Sequence, residues 1–174
     1  MTVQDLSDRI RTIPDFPKPG IQFKDITPLL ADARALTTTI RLLSEPWSSA
    51  SVDMVVGMES RGFLLGPALA TSLNAGFAPV RKPGKLPYQT LSATYDLEYG
   101  TDRLEIHTDA IRHGMNVLIH DDVVATGGTA LAARELVERL GGRIVGFSFL
   151  IELSFLKGTE RLLPFGRVEH LIRV

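Results

Sequence analysis

The chain has 174 residues, 44% of them hydrophobic, which is enough to bury one sizeable core in a single domain. A net charge of −1 gives no strong field for nucleic acid, and the absence of cysteine rules out a disulfide frame or a thiolate metal site. No apolar run reaches membrane-spanning length and the first residues hold no signal-type apolar core, so a cytoplasmic protein that does not engage a membrane is expected.

Leu6, Ile10 and Ile13 predict a short first helix. Asp15 to Gly20 contains two prolines and a glycine and reads as a loop with a fixed path. Residues 33–43 read as a helix stopped near Pro46, and residues 54–57 as a short buried strand. Leu65, Ala68 and Leu69 fall on one face of a second helix that ends around Asn74 to Gly76, and residues 78–81 form the next strand. Residues 83–92 are turn-rich and lack helical periodicity. Within residues 95–107, the run Glu98 to Asp102 is suited to turning a hairpin.

His113-Gly114 then opens the strand Val117 to Ile119. Ala133, Leu136, Val137 and Leu140 define the apolar face of a helix whose other face carries Arg134, Glu135, Glu138 and Arg139. Gly141-Gly142 closes it. Residues 143–151 supply another strand and residues 167–174 a terminal one. Strands alternating with helices predict an α/β fold, a mostly parallel sheet covered on both faces, with ligand bound at the carboxyl ends of the strands.

The most informative stretch lies at such an end. Val117 to Thr129 runs from an apolar strand into Asp121-Asp122, then into the turn Ala125-Thr126-Gly127-Gly128-Thr129 at a helix start. Carboxylates can hold sugar hydroxyls or a hydrated metal, and a turn rich in N–H groups at a helix N-terminus can hold a phosphate. An ordinary strand-to-helix turn with acidic caps is the plainer reading. A Walker-type loop fails for want of a lysine in the turn, and the dinucleotide fingerprint for want of its spaced glycines. Neighbouring residues on a regular strand face opposite ways, so both acids can reach one sugar only if the strand curls. Elsewhere, Arg81, Lys82 and Lys85 form a basic cluster suited to a small anion, and the four histidines form no metal-spaced group.

This stretch resembles the 5-phosphoribosyl pyrophosphate (PRPP) signature of the type I phosphoribosyltransferases. The likeness extends over nearly the whole chain. Asp15 to Thr27, Ser60-Arg61-Gly62-Phe63, Arg81 to Pro87 and Tyr95 to Gly100 all look like the adenine phosphoribosyltransferases of that family. The resemblance implies the type I phosphoribosyltransferase fold, with a flexible hairpin loop and a small hood built from residues 1–30, in one domain spanning residues 1–174. It implies purine salvage: transfer of the phosphoribosyl group from PRPP to adenine, giving AMP and pyrophosphate. Magnesium is expected to bind mainly through PRPP oxygens rather than a protein cage, and a homodimer is implied.

Residue by residue, the resemblance makes Ala125, Thr126, Gly127, Gly128 and Thr129 the 5-phosphate anchor and gives Asp121 and Asp122 to the ribose. It makes Glu59, Ser60 and the catalytic Arg61 the pyrophosphate loop, with Arg81, Lys82 and Lys85 as cationic partners. Glu98 becomes the catalytic proton relay, on a loop with Tyr99 that closes over the site. Phe23 and Leu153 sandwich the base, and the backbone of Gln22 and Lys24 reads its edge. Ala125 stands where relatives acting on 6-oxopurines commonly carry an acid, which favours adenine. His120 departs from the usual apolar residue before the acid pair; by alternation with Leu118 it faces a core layer or the rim of the site. Two competing readings stay open: the same chemistry on xanthine or a purine analogue, and a PRPP-sensing regulator. The regulator reading lacks an added DNA-binding segment here.

Overall fold

The computed structural model describes residues 1–97 and 100–174; of residues 96–100 the side chains lie outside the description. The chain opens with helix α1 (Val3–Ser7), started by a capping box between Thr2 and Asp5. Strands β1 (Arg11–Pro14) and β2 (Gln22–Asp25) then pair antiparallel, with Ile13 opposite Phe23. The first helix is therefore shorter than its apolar spacing predicts. Ile13 belongs to the ribbon, because Pro14 disfavours a helical conformation before it and β2 offers a strand partner. The connection from Asp15 to Gly20 is the expected loop, tied by the Gly20 N–H donating to Asp15 Oδ1 at 2.7 Å.

Helices α2 (Thr27–Ala31) and α3 (Ala33–Ser44) follow, then β3 (Met54–Met58), α4 (Gly62–Ser72) and β4 (Gly76–Val80). Asp32 caps α3 by accepting from the N–H groups of Arg34 and Ala35. Strands β5 (Thr90–Leu97) and β6 (Gly100–His107) form the expected hairpin. β5 takes residues 90–92 from the stretch read as turns, because Leu91 pairs with Ile106 and packs on the core. The chain closes with β7 (Asn116–Val124), α5 (Gly128–Arg139), β8 (Arg143–Glu152), the short α6 (Gly158–Leu162) and β9 (Arg167–Arg173).

The main sheet has five strands in the order β4-β3-β7-β8-β9, every neighbouring pair parallel. Its inner strands are apolar almost continuously because both faces are covered. Val56, Val117, Ile119, Phe147 and Phe149 point into a core under α5 and the hairpin. Val55, Leu118 and Leu150 point the other way, into a core closed by α3, α4 and the first helices. Leu65 and Leu69 of α4 enter that second core, whereas Ala68 is exposed, so the buried face of α4 is completed by Gly66 and Ala70 rather than Ala68.

Two glycines let α4 approach the sheet closely. The Phe77 ring fills the space beside Gly57 and Gly66, where a Cβ would lie 2.6 Å and 2.5 Å from it. Glycine on both the strand and the helix lets α4 settle onto β3, and its first turn arrives beside the carboxyl end of β7. Among the described residues, no helix is long and apolar enough to cross a membrane.

Candidate active site

β7 runs unbroken to Val124, with Asp121 opposite Phe149 and Val123 opposite Ile151 on β8. Beyond Asp121 strict alternation is lost, with Val123 packing into the α3–α4 core and Val124 into the α5 core. The two acids therefore stay close: the Asp122 N–H donates to Asp121 Oδ1 at 2.9 Å, and both carboxyls lie against the start of α4. Asp121 lines a pocket of about 80 Å³ together with Val123 to Ala130, Met58 and Phe149. Asp122 is almost fully buried on the α4 side, 3.0 Å from Arg61 Nε. Gly62 leaves room for the first acid, since a Cβ there would sit 3.1 Å from Asp121 Oδ1. Burial pushes the Asp121 carboxyl well above the usual carboxylate range, with the Asp122 charge adding to the effect. Burial raises Asp122 as well, opposed by the Arg61 guanidinium.

The rest of the pocket is the turn after β7. Gly127 has φ +80°, a left-handed conformation that favours glycine, and its C=O accepts from Leu131 N–H at 3.0 Å as α5 begins. Among the described residues, the N–H groups of Thr126, Gly127, Gly128 and Thr129 donate to no backbone or side-chain acceptor. A helix N-terminus with unclaimed N–H groups and a small pocket in front suits a phosphate group.

The turn is held from outside the motif. Arg161 Nη1 on α6 donates to Thr126 C=O at 2.6 Å. Gly158 lies so close that a Cβ on it would come within 2.2 Å of Ala125 O and 2.8 Å of Gly127 N. Both supports were missed by sequence reasoning. Gly158 is an isolated glycine far from the motif, and only its packing reveals the need for it.

Arg61, at the start of α4, ties β7 to β2. It pairs with Asp122, donates from Nη1 to the Lys24 C=O at 3.1 Å, and lies 4.6 Å above the Phe23 ring. An arginine at a helix start gains nothing from the helix dipole and calls for an anionic partner; within the chain that partner is Asp122. Phe23 is half-buried and also meets Phe16 edge-on at 5.1 Å. Lys24 sends its ammonium to Thr12 Oγ1 at 3.0 Å, and Gln22 is exposed at the end of the ribbon. Leu153 follows β8, half-buried, with its N–H on Val124 C=O at 3.0 Å.

The predicted pyrophosphate residues form a second cluster. Glu59 accepts from Arg81 Nε at 3.2 Å and Nη2 at 3.3 Å, and from the Lys82 backbone N–H at 2.8 Å. Burial opposes ionisation of Glu59, but these hydrogen bonds and the Arg81 charge prevail and hold its carboxyl below the usual value. Lys82 turns its ammonium to Asp102 and to the Tyr95 hydroxyl. Ser60 and Lys85 are exposed. Glu98 and Tyr99 lie outside the described residues. His120 is fully buried in the sheet, on neither the rim nor the pocket, with no partner for either ring nitrogen among the described residues.

The geometry unites a phosphate-type turn, a carboxylate and an aromatic platform at the carboxyl end of a parallel sheet. A family model for the phosphoribosyl transferase domain matches residues 22–162. The chain is 58% identical to an adenine phosphoribosyltransferase of Geobacter metallireducens over 98% of this chain and 99% of that one. The crystal structure of adenine phosphoribosyltransferase from Rhodothermus marinus superposes with a TM-score of 0.96 at 56% identity, covering 99% of this chain and 98% of that one. That of Saccharomyces cerevisiae, complexed with an imino-altritol bisphosphate and adenine, gives 0.90 at 44% identity, covering 97% of each chain. With a family model matching residues 22–162 and relatives above half identity over nearly the whole length of both chains, this chain belongs to the adenine phosphoribosyltransferases of the phosphoribosyl transferase domain family.

Proposed function

We propose that the protein transfers the 5-phosphoribosyl group of PRPP to nitrogen 9 of adenine, giving AMP and pyrophosphate in purine salvage. The observation that carries this reading is the placing of the Phe23–Arg61 platform beside the acid pair and phosphate turn at the end of β7. One site thus offers grips for a base and for a ribose phosphate.

In this reading the N–H groups of residues 126–129 and the hydroxyls of Thr126 and Thr129 surround the 5-phosphate, with Ala125 shaping the wall. Asp121 accepts from a ribose hydroxyl. Asp122 keeps Arg61 in place, and Arg61 keeps the Lys24 C=O and Phe23 in place. The bond from ribose carbon 1 to pyrophosphate breaks with its electron pair on the leaving group, and adenine nitrogen 9 supplies the new bond and loses its proton. Positive charge developing at carbon 1 is stabilised by the acid pair. Glu98 is proposed to relay the proton and Tyr99 to close over the base, both on family likeness. Phe23 and Leu153 flank the base, with Gln22 and Lys24 at its edge. Glu59, Ser60, Arg81, Lys82 and Lys85 receive the pyrophosphate.

Magnesium would neutralise the pyrophosphate charge. Among the described residues, no three histidines or acids cluster to cage a metal, and Asp121 is the pocket carboxylate available to it. The donor set fits an ion carried largely by substrate oxygens and water. Residues 1–30 are assigned as a base-binding hood on one domain of residues 1–174. A homodimer in the cytoplasm is part of the proposal, tested by sedimentation velocity and fractionation. The decisive assay is AMP formation from PRPP, magnesium and each purine in turn. Turnover of adenine above the oxopurines is expected; none from adenine would sink the reading.

A further inference from the structure

We propose that Asp102, assisted by the Tyr95 hydroxyl, is a positioning residue that holds Lys82 on the hairpin and moderates its grip on pyrophosphate. The inference rests on the PRPP reading and deepens it. Lys82 is fixed at both ends. Its backbone N–H donates to Glu59 of the pyrophosphate loop at 2.8 Å. Its ammonium meets Asp102 Oδ2, donates to the Tyr95 hydroxyl at 3.2 Å, and lies 5.7 Å from the centre of the Tyr95 ring. The Tyr95 hydroxyl in turn donates to Asp102 Oδ2 at 3.1 Å.

Tyr95 and Asp102 are cross-strand partners in the hairpin, so one pair of the ladder presents both groups to one cation. The contact is half shielded from water: the Lys82 and Asp102 side chains are 40% and 27% exposed. At such a site a charge pair is weakened by solvent but not abolished. The basic cluster is therefore less positive than its three cations indicate. Arg81 faces Glu59 and Lys82 faces Asp102. Pyrophosphate must draw Lys82 away from Asp102, or share it against the repulsion of that carboxylate. Either way Asp102 lowers the affinity for pyrophosphate and so favours its release. Binding of pyrophosphate also loosens the hairpin's hold on the segment after β4.

The test compares wild type with Asp102→Asn, Tyr95→Phe, Lys82→Met and the Lys82→Met/Asp102→Asn double variant. Magnesium pyrophosphate binding is measured by calorimetry, with KM for PRPP and kcat alongside. Removing one half-shielded charge predicts pyrophosphate binding roughly 3- to 10-fold tighter in Asp102→Asn. KM for PRPP should fall with it, and kcat should fall as product release slows. Tyr95→Phe should move the same quantities less. In the Lys82→Met background, Asp102→Asn should add little. Asp102 acting only as a hairpin brace predicts the opposite: weaker pyrophosphate binding in Asp102→Asn, persisting in the Lys82→Met background. That result, or unchanged affinity in Asp102→Asn, overturns the inference. Wild type that forms no AMP and binds no pyrophosphate overturns the functional reading and this inference with it. Normal wild type with an indifferent Asp102→Asn overturns this inference alone.

Discussion

Replacing His120 by leucine should make the protein's stability less sensitive to acid. The imidazole is fully buried, and burial pushes its pKa from 6.5 down to about 4; the nearby Ser148 backbone favours the charged form more weakly and makes no hydrogen bond of normal geometry to either ring nitrogen. The folded protein thus holds His120 neutral while the unfolded chain takes up a proton near pH 6.5. Stability from this residue is complete above 6.5, falls as the pH drops toward 4, and levels off below. At 1.36 kcal/mol per pH unit, the gap is worth about 3 kcal/mol, a large part of a typical domain's 5–15 kcal/mol. Urea unfolding at pH 7.5, 6, 5 and 4.5 measures it. Wild type should lose about 2–3 kcal/mol more than His120→Leu across that range. Asp25, held at about 2 chiefly by the Thr27 backbone and then by Arg11, titrates lower and does not share the window. At pH 7.5 the variant should be no less stable, because both ring nitrogens are unpartnered among the described residues. Parallel pH profiles for the two proteins would refute the argument.

Gly158→Ala should force the phosphate turn away, costing about 1–3 kcal/mol by overpacking and raising KM for PRPP more than KM for adenine. Equal KM values with the wild type would show that the turn does not depend on Gly158. Arg61→Ala should destabilise by about 3–5 kcal/mol, because it strands the buried Asp122 charge. Adding Asp122→Asn should recover much of that in urea denaturation without restoring activity. Asp121→Asn should raise the melting temperature at neutral pH. A carboxyl pushed up by burial stabilises the fold most below its unfolded pKa, and that contribution declines as the pH rises toward its folded pKa; the amide has no such penalty. The same variant should cost about 10- to 100-fold in kcat/KM for PRPP, the worth of one charged hydrogen bond. A lower melting temperature would contradict this account of its burial.

The sheet was legible because β3, β7 and β8 are buried on both faces and read as apolar runs, and α5 because its face repeats with the helical period. Ile13 and Ala68 were misread for one reason: spacing reports a possible face but not what lies against it. The turn Ala125 to Thr129 was legible because its chemistry is local, a run of backbone donors before a helix. Whether Asp121 and Asp122 come together turned on whether β7 departs from alternation at its end, which the packing of Val123 and Val124 into opposite cores decides.

The α/β class, the phosphate turn and the family are legible in the linear chain. These rest on contiguous residues and on periodicity, properties that a chain carries along its length. How the cations and acids are matched is settled by folding. Arg61 with Asp122, Arg81 with Glu59 and Lys82 with Asp102 join residues 61, 22 and 20 positions apart in the chain. Coulomb energy follows distance in space, so a charge's role is set by the neighbour that folding brings to it. The same holds for Gly158, an ordinary glycine in the chain until its place at the start of α6 packs it against the turn and leaves no room for a Cβ.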